Sequence, residues 1–278
     1  MHRRIFLGAT VLAAPLISLR SVAQSASADT PPQIGQISKD SVWVPTPDRM
    51  IRRMMQMADV TRDDLVIDLG SGDGRIPIHA ARHFGARAIG VELEPNLVRL
   101  SIDKARAEGV GERARFLQQD LFQADLSQAT VIALYISPGV MTRLRPILQA
   151  LKPGTRVVSH HFTLEPWEPD ETMRVENRMA YLWVVPADVR GEWAVSVAGQ
   201  DLTVRIGQNV QMLTTTGERA GRAVNVIGAR LRGTEIRFTA FDHDGHSRQF
   251  EGQVDGTRMR GTSGGEGIAP LAWSAVRR

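Results

Sequence analysis

Between about residues 40 and 186, short apolar runs alternate with stretches of helical periodicity. The first run, Leu65–Leu69, ends in glycine, as a buried strand does when it meets a turn. Strands that alternate with helices build βαβ units around a parallel sheet, so this region is predicted to be an open α/β domain. The predicted strands are Leu65–Leu69, Ala86–Glu92, Arg113–Gln118, Thr130–Ile136 and Thr155–His161, and the predicted helices are Ile76–Phe84, Pro95–Glu108 and Pro138–Leu151.

The pattern changes after Pro186, where helical periodicity is lost and short β-type runs recur between glycine-containing turns. Strands at this spacing are typical of a small antiparallel sandwich or barrel. We therefore expect a first domain over residues 29–188 and a β-rich domain over residues 189–278. The predicted strands are Trp193–Val197, Asp201–Ile206, Gln208–Leu213, Ala223–Leu231, Thr234–Phe241, Ser247–Val254, Thr257–Gly261 and Leu271–Val276, with hairpin turns at Asp242–Gly245 and Asp255–Gly256.

The first 28 residues combine a charged start, a short apolar stretch and an Ala/Ser-rich end. These are the parts of a signal peptide, and the adjacent Arg3 and Arg4 resemble the twin-arginine type, which exports proteins already folded. The candidate cleavage sites follow Ala23 and Ala28. We expect a periplasmic protein without a membrane span after cleavage; the alternatives are a cytoplasmic protein and one anchored to the inner membrane by an uncleaved leader.

Charge and cysteine content narrow the possible partners. The formal charge of the 278 residues is +4, but Arg3, Arg4 and Arg20 lie in the predicted leader, so the remaining chain is nearly neutral. It contains no dense run of lysine and arginine, which does not favour a nucleic-acid partner. The absence of cysteine excludes disulfides, thiolate metal sites and a cysteine nucleophile.

A glycine-rich turn follows the first predicted strand, with Gly70, Gly72 and Gly74 at every second position and Asp68 just before them. Such a turn lets the backbone approach a ligand at the carboxyl edge of a parallel sheet. Dinucleotide enzymes space the glycines differently and bind a pyrophosphate there. A carboxylate at this point would repel phosphate but attract an ammonium group. The turn thus predicts a ligand with an amino-acid moiety.

Polar groups also follow the next three predicted strands. Glu92 ends the second strand, about twenty residues after the turn, where a carboxylate binds a ribose diol. Asp120 follows the third strand, where it could accept a hydrogen bond from an adenine amino group. Tyr135–Pro138 follows the fourth strand, at the edge where a methyl group would be presented. Four such features in order predict S-adenosylmethionine (SAM) rather than a sugar or another nucleotide.

Residues 68–75 resemble the first motif of class I SAM-dependent methyltransferases, and the resemblance covers about residues 40–186. Within that class, the segment Trp43–Pro47 and the two acidic motifs are similar to a small group of archaeal and mitochondrial protein-lysine methyltransferases. The resemblance implies a Rossmann-like sheet, SAM as cofactor and a methyl acceptor that is a protein, with a lysine amine as one candidate, or a small molecule. The cofactor-binding residues it implies are Asp68, Gly70, Ser71, Gly72, Asp73, Gly74, Glu92, Leu93, Asp120, Leu121 and Thr46.

The residues that would assist the transfer are less clearly marked. Tyr135, Ser137 and His160 lie at the ends of the fourth and fifth predicted strands and are the catalytic candidates. Because neighbouring residues on a strand point to opposite faces, at most one of His160 and His161 faces the site, and a hydrogen-bonded structural histidine is the alternative.

Other notable side chains have structural explanations. The histidines of residues 243–246 are explained by a hairpin tip, so no metal site is predicted. Methionines 50, 54, 55 and 57 are expected to pack in the core or against the cofactor pocket. Trp43 and Trp167 are candidates for the substrate entrance or for buried anchors.

The predicted leader poses a question of location, because SAM is a cytoplasmic metabolite. The intact set of cofactor acids favours an active methyltransferase. The alternative is an exported, non-catalytic binding protein that keeps the SAM-type fold and acts through its β-rich domain.

Overall fold

The structure is a computed structural model that describes residues 30–39, 41–241, 245–265 and 268–278. The predicted signal peptide, residues 1–28, lies outside these ranges. Across the described ranges, no helix combines the length and the apolar character needed to cross a membrane.

The first domain is a seven-stranded sheet in the order β3-β2-β1-β4-β5-β7-β6. Strands β1 to β5 are parallel, as the alternating pattern predicts. Their carboxyl ends therefore meet along one edge. The elements are α1 (Asp48–Met57), β1 (Leu65–Leu69), α2 (Arg75–Phe84), β2 (Arg87–Glu92), α3 (Pro95–Ala107), β3 (Ala114–Gln118), a 3₁₀ turn (Leu121–Gln123), β4 (Val131–Leu134), α4 (Pro138–Gln149), β5 (Arg156–His160), β6 (Glu171–Val175) and β7 (Arg178–Val184).

The sheet is mixed rather than purely parallel, which refines the sequence-based prediction. Strands β6 and β7 form a hairpin, and β7 pairs antiparallel with both β5 and β6. No helix intervenes between β5 and β6, so the βαβ pattern stops at His160. Strand β6 is mostly exposed at the sheet edge and carries no apolar run by which its sequence could be recognised.

Helix α1 packs its methionines into the core. Met50, Met54, Met55 and Met57 are all buried, in one cluster with residues of β1, β4 and β7. Their role is core packing, one of the two uses expected from the sequence. Trp167 is also a buried anchor, packed among the side chains on the opposite side of the sheet.

The C-terminal region is an antiparallel β-barrel, so the barrel alternative is confirmed. Eight strands follow each other around it, and pairing of β9 with β10 closes the ring. Phe238 and Phe250 stack in its interior at 4.7 Å, with the edge of Trp273 against both rings. The strands are β8 (Gly191–Val197), β9 (Gln200–Asn209), β10 (Met212–Arg219), β11 (Arg222–Val224), β12 (Val226–Arg232), β13 (Glu235–Phe241), β14 (Ser247–Asp255), β15 (Arg258–Gly265) and β16 (Ile268–Arg277); the short β11 pairs with β10 on the same edge as β12.

Two strand predictions in this region are wrong. The run Gln208–Leu213 spans a hairpin turn, since β9 ends at Asn209 and β10 begins at Met212. The run Ala223–Leu231 is divided between β11 and β12. The turn at Asp255–Gly256 is confirmed, whereas most of the predicted turn at Asp242–Gly245 lies outside the described residues.

The two regions are joined by a short connection between β7 and β8, where the N–H of Ala187 donates to the carbonyl oxygen of Gly233 at 2.8 Å. A Cβ on Gly233 would lie 2.9 Å from Val184, so the barrel approaches the end of β7 closely here. The division into domains at residue 188 stays a prediction.

Candidate active site

A cavity of about 880 Å³, including its open entrance, lies at the carboxyl edge of the parallel strands. The ends of β1, β2 and β4 and the segment after β3 form its walls, because parallel strands bring their carboxyl ends together. Residues 36–39 and 41–46 lie across it. Ten of the predicted site residues line it: Thr46, Asp68, Gly70, Ser71, Gly72, Asp73, Glu92, Leu93, Asp120 and Leu121, together with the catalytic candidate Tyr135.

The glycine turn after β1 is shaped by close approach as well as by backbone conformation. Gly70 and Gly72 have φ values of +78° and +54°, which side chains disfavour. A Cβ at residue 72 would lie 2.7 Å from the ring of Trp43. Gly74 does not line the cavity; it precedes α2, where a Cβ would meet Phe116 and Ser101. The third glycine therefore serves helix packing rather than ligand contact.

Asp68 is a buried carboxylate that receives no hydrogen bond from the residues that the structure describes. It is 2% exposed, and within the described residues no N–H or O–H group donates a hydrogen bond to it. Burial raises the pKa of Asp68 well above its usual range, and the nearby carboxylates of Glu92 and Asp73 raise it further. A ligand with a positive charge would relieve this cost, because an ion pair favours the charged form of an acid.

Glu92 is held rigidly by the backbone. Its Oε2 accepts from the N–H of Gly72 at 2.9 Å, and its Oε1 accepts from the N–H groups of Leu93 and Glu94 at 2.8 and 3.0 Å. Burial raises the pKa of Glu92, and these three hydrogen bonds oppose the rise. The carboxylate therefore lines the cavity in a fixed orientation with lone pairs left for a ribose diol.

Asp73, by contrast, is already neutralised by protein cations. Arg75 donates to both of its oxygens, at 2.9 and 2.8 Å, and Lys104 Nζ lies 2.5 Å from Oδ2. Burial alone would raise the pKa of Asp73, but these contacts hold it below its usual value. The main role of Asp73 is thus to fix the turn.

The carboxylate of Asp120 lies at the far side of the cavity; it is charged and already accepts hydrogen bonds from the protein. The N–H of Phe122 donates to its Oδ1 at 3.0 Å and Lys39 donates to its Oδ2 at 3.1 Å. Both contacts lower the pKa of Asp120. Lys39 therefore occupies one of the acceptor positions expected to serve the adenine amino group.

The segment that covers the cavity is a short antiparallel ribbon, called here the N-terminal ribbon (residues 33–39 and 41–44). Backbone hydrogen bonds link Gly35 N–H to the Trp43 oxygen and Trp43 N–H to the Gln36 oxygen, each at 2.9 Å. Ser38 Oγ donates to Glu94 at 3.0 Å. Just after the ribbon, Arg75 donates to the carbonyl oxygen of Thr46. The ribbon is thus fastened to the ends of β1 and β2.

The catalytic candidates occupy different positions. Tyr135 lines the cavity, and its hydroxyl accepts from Arg178 at 3.0 Å. His160 lies behind it, fully buried; the centroids of the His160 and Tyr135 rings are 3.9 Å apart with the ring planes tilted, and His160 Nδ1 lies 3.2 Å from Thr46 Oγ1. Burial, and then the charge of Arg178, lowers the pKa of His160 to about 4, so the ring is neutral at pH 7. Its contacts fit the alternative of a hydrogen-bonded structural histidine. Ser137 precedes α4 and does not line the cavity.

These residues fit SAM. Its ammonium group matches the partnerless carboxylate of Asp68, and its ribose diol matches Glu92. The Ser71 hydroxyl is buried and has no hydrogen-bond partner among the residues that the structure describes, so it is available for a hydrogen bond with a polar atom of a ligand. No group of three metal-binding side chains occurs in the described ranges.

Several functional side chains were missed by the sequence reasoning. Arg75 and Lys104 bind Asp73 from α2 and α3, and Gln36, Ser38 and Lys39 belong to the N-terminal ribbon. Arg75 directly follows the glycine turn and could have been recognised as a partner for its acid. Nothing in the sequence around Lys104 or Arg178 indicates a role in the site, because only the tertiary fold brings these residues to their partners.

Comparison with known proteins agrees with this geometry. Residues 68–171 match the family model described as the ANTKMT methyltransferase domain. The chain is similar to a protein-lysine N-methyltransferase from Saccharolobus islandicus, with 42% identity over 149 residues that cover 51% of this chain and 92% of the archaeal protein.

Two further proteins are similar to part of the chain. The adenine nucleotide translocase lysine N-methyltransferase of Mus musculus is 39% identical over 110 residues, which cover 39% of this chain and 48% of the mouse protein. The crystal structure of an RNA methyltransferase from Salinibacter ruber, in complex with S-adenosyl-L-homocysteine, is 48% identical. It superposes with a TM-score of 0.52 and covers 52% of this chain and 96% of that one.

Proposed function

Because this chain belongs to the family of SAM-dependent methyltransferases represented by the archaeal protein-lysine N-methyltransferase, we propose that it methylates the side-chain amine of a protein lysine. The observation that carries the proposal is the similarity to the archaeal enzyme over 92% of that protein's length. The mouse enzyme, whose name also specifies a lysine acceptor, supports it.

Different residues of the cavity would bind different parts of the cofactor. Asp68 would pair with the ammonium group and Glu92 with the ribose diol, while Leu93 and Leu121 provide apolar walls for the adenine. Bound SAM would supply a methyl group attached to a positively charged sulfur. When a neutral amine attacks the methyl carbon, the sulfur leaves as part of S-adenosylhomocysteine and the methylated nitrogen releases one proton. Positioning is the main requirement for such an in-line displacement.

The acceptor lysine must lose a proton before it reacts. A lysine ammonium that enters a desolvated site has a lowered pKa, and a nearby cation lowers it further. Arg178 does not line the cavity itself, but it donates a hydrogen bond to the hydroxyl of Tyr135, which does. The Tyr135 oxygen keeps a lone pair that could accept a hydrogen bond from the amine and orient it. Tyr135 is therefore the proposed acceptor-orienting residue, and His160 and Thr46 hold its ring and its surroundings in place.

RNA is the second candidate acceptor, because the Salinibacter protein is described as an RNA methyltransferase. RNA binding depends on cations that neutralise the phosphate backbone. Apart from its first 28 residues this chain is nearly neutral and has no dense Lys/Arg run. The charge distribution thus favours a protein acceptor.

We further propose that the protein is exported to the periplasm, on the strength of Arg3, Arg4 and the short apolar stretch that follows them. Export of a folded chain would allow the cofactor to be bound before transport. Fusion of residues 1–30 to alkaline phosphatase tests this directly. Phosphatase activity that depends on the Arg3–Arg4 pair supports export, and inactive fusions contradict it.

The acceptor is tested by incubating the purified chain with methyl-tritiated SAM and fractionated cell extract. A protein acceptor predicts label that is lost on protease treatment, survives ribonuclease and appears as methyl-lysine after acid hydrolysis. A matched Glu92→Gln variant should transfer no label. Label that ribonuclease removes would replace the lysine proposal with the RNA alternative, and label confined to small molecules would contradict both.

A further inference from the structure

The N-terminal ribbon has its apolar and polar sides inverted. Over residues 36–39 and 41–44, partly buried and exposed positions alternate. The partly buried positions that face the protein are mostly polar, whereas Ile34 and Ile37 are 72% and 73% exposed. Val42 and Val44, which are 50% and 40% exposed, lie at the rim of the active-site cavity and contribute to its lining. A ribbon that rests on a protein core normally shows the opposite pattern, with its apolar side inward.

Side-chain hydrogen bonds hold this orientation. Ser38 binds Glu94 at 3.0 Å, and the amides of Gln36 and Asn96 exchange hydrogen bonds at 3.1 and 3.0 Å. Ile37 and Val42 are bridge partners, so their side chains lie next to each other on the outward side. The ribbon therefore cannot turn its apolar side inward without breaking these hydrogen bonds.

The preceding part of the chain indicates what covers this side. An apolar stretch runs from Ile5 to Leu19 and ends at Arg20. The residues between Arg20 and Thr30 can span at most about 30 Å when fully extended. While the leader is attached and lies in a membrane, the ribbon is therefore held close to the lipid surface.

Charge and size also favour lipid over protein. Arg52 and Arg53 are exposed on α1, shortly after the ribbon. The neighbouring cations Arg49 and Lys39 are also exposed but are paired with Glu176 and Asp120. Apolar residues beside cations are the combination that binds anionic lipid surfaces. A stable protein–protein interface buries roughly 800 Å² on each partner, more than four partly exposed side chains can supply.

We propose that the N-terminal ribbon inserts its apolar side into the surface of an anionic bilayer and thereby brings the active-site cavity to the membrane. The inference is independent of which acceptor is methylated. It concerns Ile34 and Ile37 as the inserted side chains, with Val42 and Val44 beside them at the rim of the cavity, and the leader as a second attachment while it remains on the chain.

The absence of cysteine makes a site-specific test direct. In the full-length protein, Ile34→Cys carries an environment-sensitive dye, and Ile227→Cys, an exposed apolar position on the barrel, serves as the control. With vesicles of phosphatidylglycerol and phosphatidylcholine, the dye at residue 34 should shift to the blue and be quenched by brominated acyl chains. The dye at residue 227 should do neither.

A second measurement separates the ribbon from the leader. Ile37→Ser should weaken vesicle binding of the full-length protein by about tenfold, as expected for one apolar side chain removed from lipid, whereas Ile227→Ser should not change it. Three results would overturn the proposal: equal vesicle binding by both variants, a dye at residue 34 that stays in water on vesicle-bound protein, or one that is already shielded without vesicles. The last would mean that protein covers the ribbon.

Discussion

The guanidinium of Arg75 joins the glycine turn to the segment that covers the cavity, because its Nη1 donates to the carbonyl oxygen of Thr46 at 3.0 Å. The same side chain donates through Nε and Nη2 to both oxygens of Asp73. One residue at the start of α2 therefore couples the floor of the cavity to its cover.

Arg75→Lys should weaken binding of S-adenosylhomocysteine by about tenfold, because a lysine keeps the charge beside Asp73 but cannot make the paired contact and reach Thr46 as well. Titration calorimetry measures the effect. Arg82→Lys, on the exposed side of the same helix, is the matched control and should bind as the unaltered protein does. Wild-type affinity in Arg75→Lys would show that the link to Thr46 does not matter.

Asp68→Asn should stabilise the ligand-free protein while it weakens cofactor binding. The pKa of Asp68 is raised on folding, so stability is lost as pH rises from its ordinary value of 3.8 through the folded value. Asparagine does not ionise, and the variant should therefore gain a few degrees in Tm at pH 7 and nothing at pH 3. Thermal melts across this range test it, and a lower Tm at pH 7 would refute the unpaired-carboxylate account.

Gly72→Ala should destabilise the protein more than Gly85→Ala. Both glycines have positive φ, but an added Cβ meets the Trp43 ring at 2.7 Å at residue 72 and only ordinary contacts at residue 85. The free energy of unfolding should fall by about 1–3 kcal/mol more in Gly72→Ala than in Gly85→Ala, a difference typical of overpacking. Trp43→Ala in the Gly72→Ala background should recover part of it. Equal losses from the two glycine substitutions would mean that Trp43 does not press on the turn.

Acid should destabilise the protein in part through two buried histidines. Burial lowers the pKa of both His79 and His160 to about 4, below the ordinary 6.5. Unfolding therefore takes up protons as pH falls from 6.5 towards 4, and each histidine adds up to about 1.4 kcal/mol per pH unit to the loss of stability. His160→Asn should flatten the pH dependence measured by urea unfolding at fixed pH. An unchanged slope would contradict the neutral, buried ring.

The parallel half of the sheet and most of the cofactor-binding acids were predictable because each is marked by a recognisable pattern in the local sequence. The turn after β1 needs glycine at fixed spacing, and Asp68, Glu92 and Asp120 each follow an apolar strand. Strand β10 has no such pattern: Met212–Arg219 is exposed on alternate positions and largely polar, so its hydrophobic pattern is weak. The β6–β7 hairpin was missed because its edge strand, β6, is mostly exposed and polar, although β7 has an apolar run that ends in three buried residues.

What the sequence could not supply were the contacts made across the fold. It placed Asp73 among the cofactor-binding residues, but it did not indicate that Arg75 and Lys104 bind the carboxylate of Asp73. It offered His160 as a catalytic group, whereas its neutral ring packs behind Tyr135. The inverted ribbon was also overlooked, because alternation alone does not tell which side faces the protein.

The most direct test of the account compares two ligands by calorimetry. S-adenosylhomocysteine carries the ammonium group that Asp68 is expected to bind, and 5′-methylthioadenosine lacks it. Asp68→Asn should cost about 100-fold in affinity for S-adenosylhomocysteine, as expected for a buried charge-assisted contact, and leave the affinity for 5′-methylthioadenosine unchanged. Equal losses for both ligands, or no loss for either, would contradict the assignment of Asp68 and with it the proposed cofactor geometry.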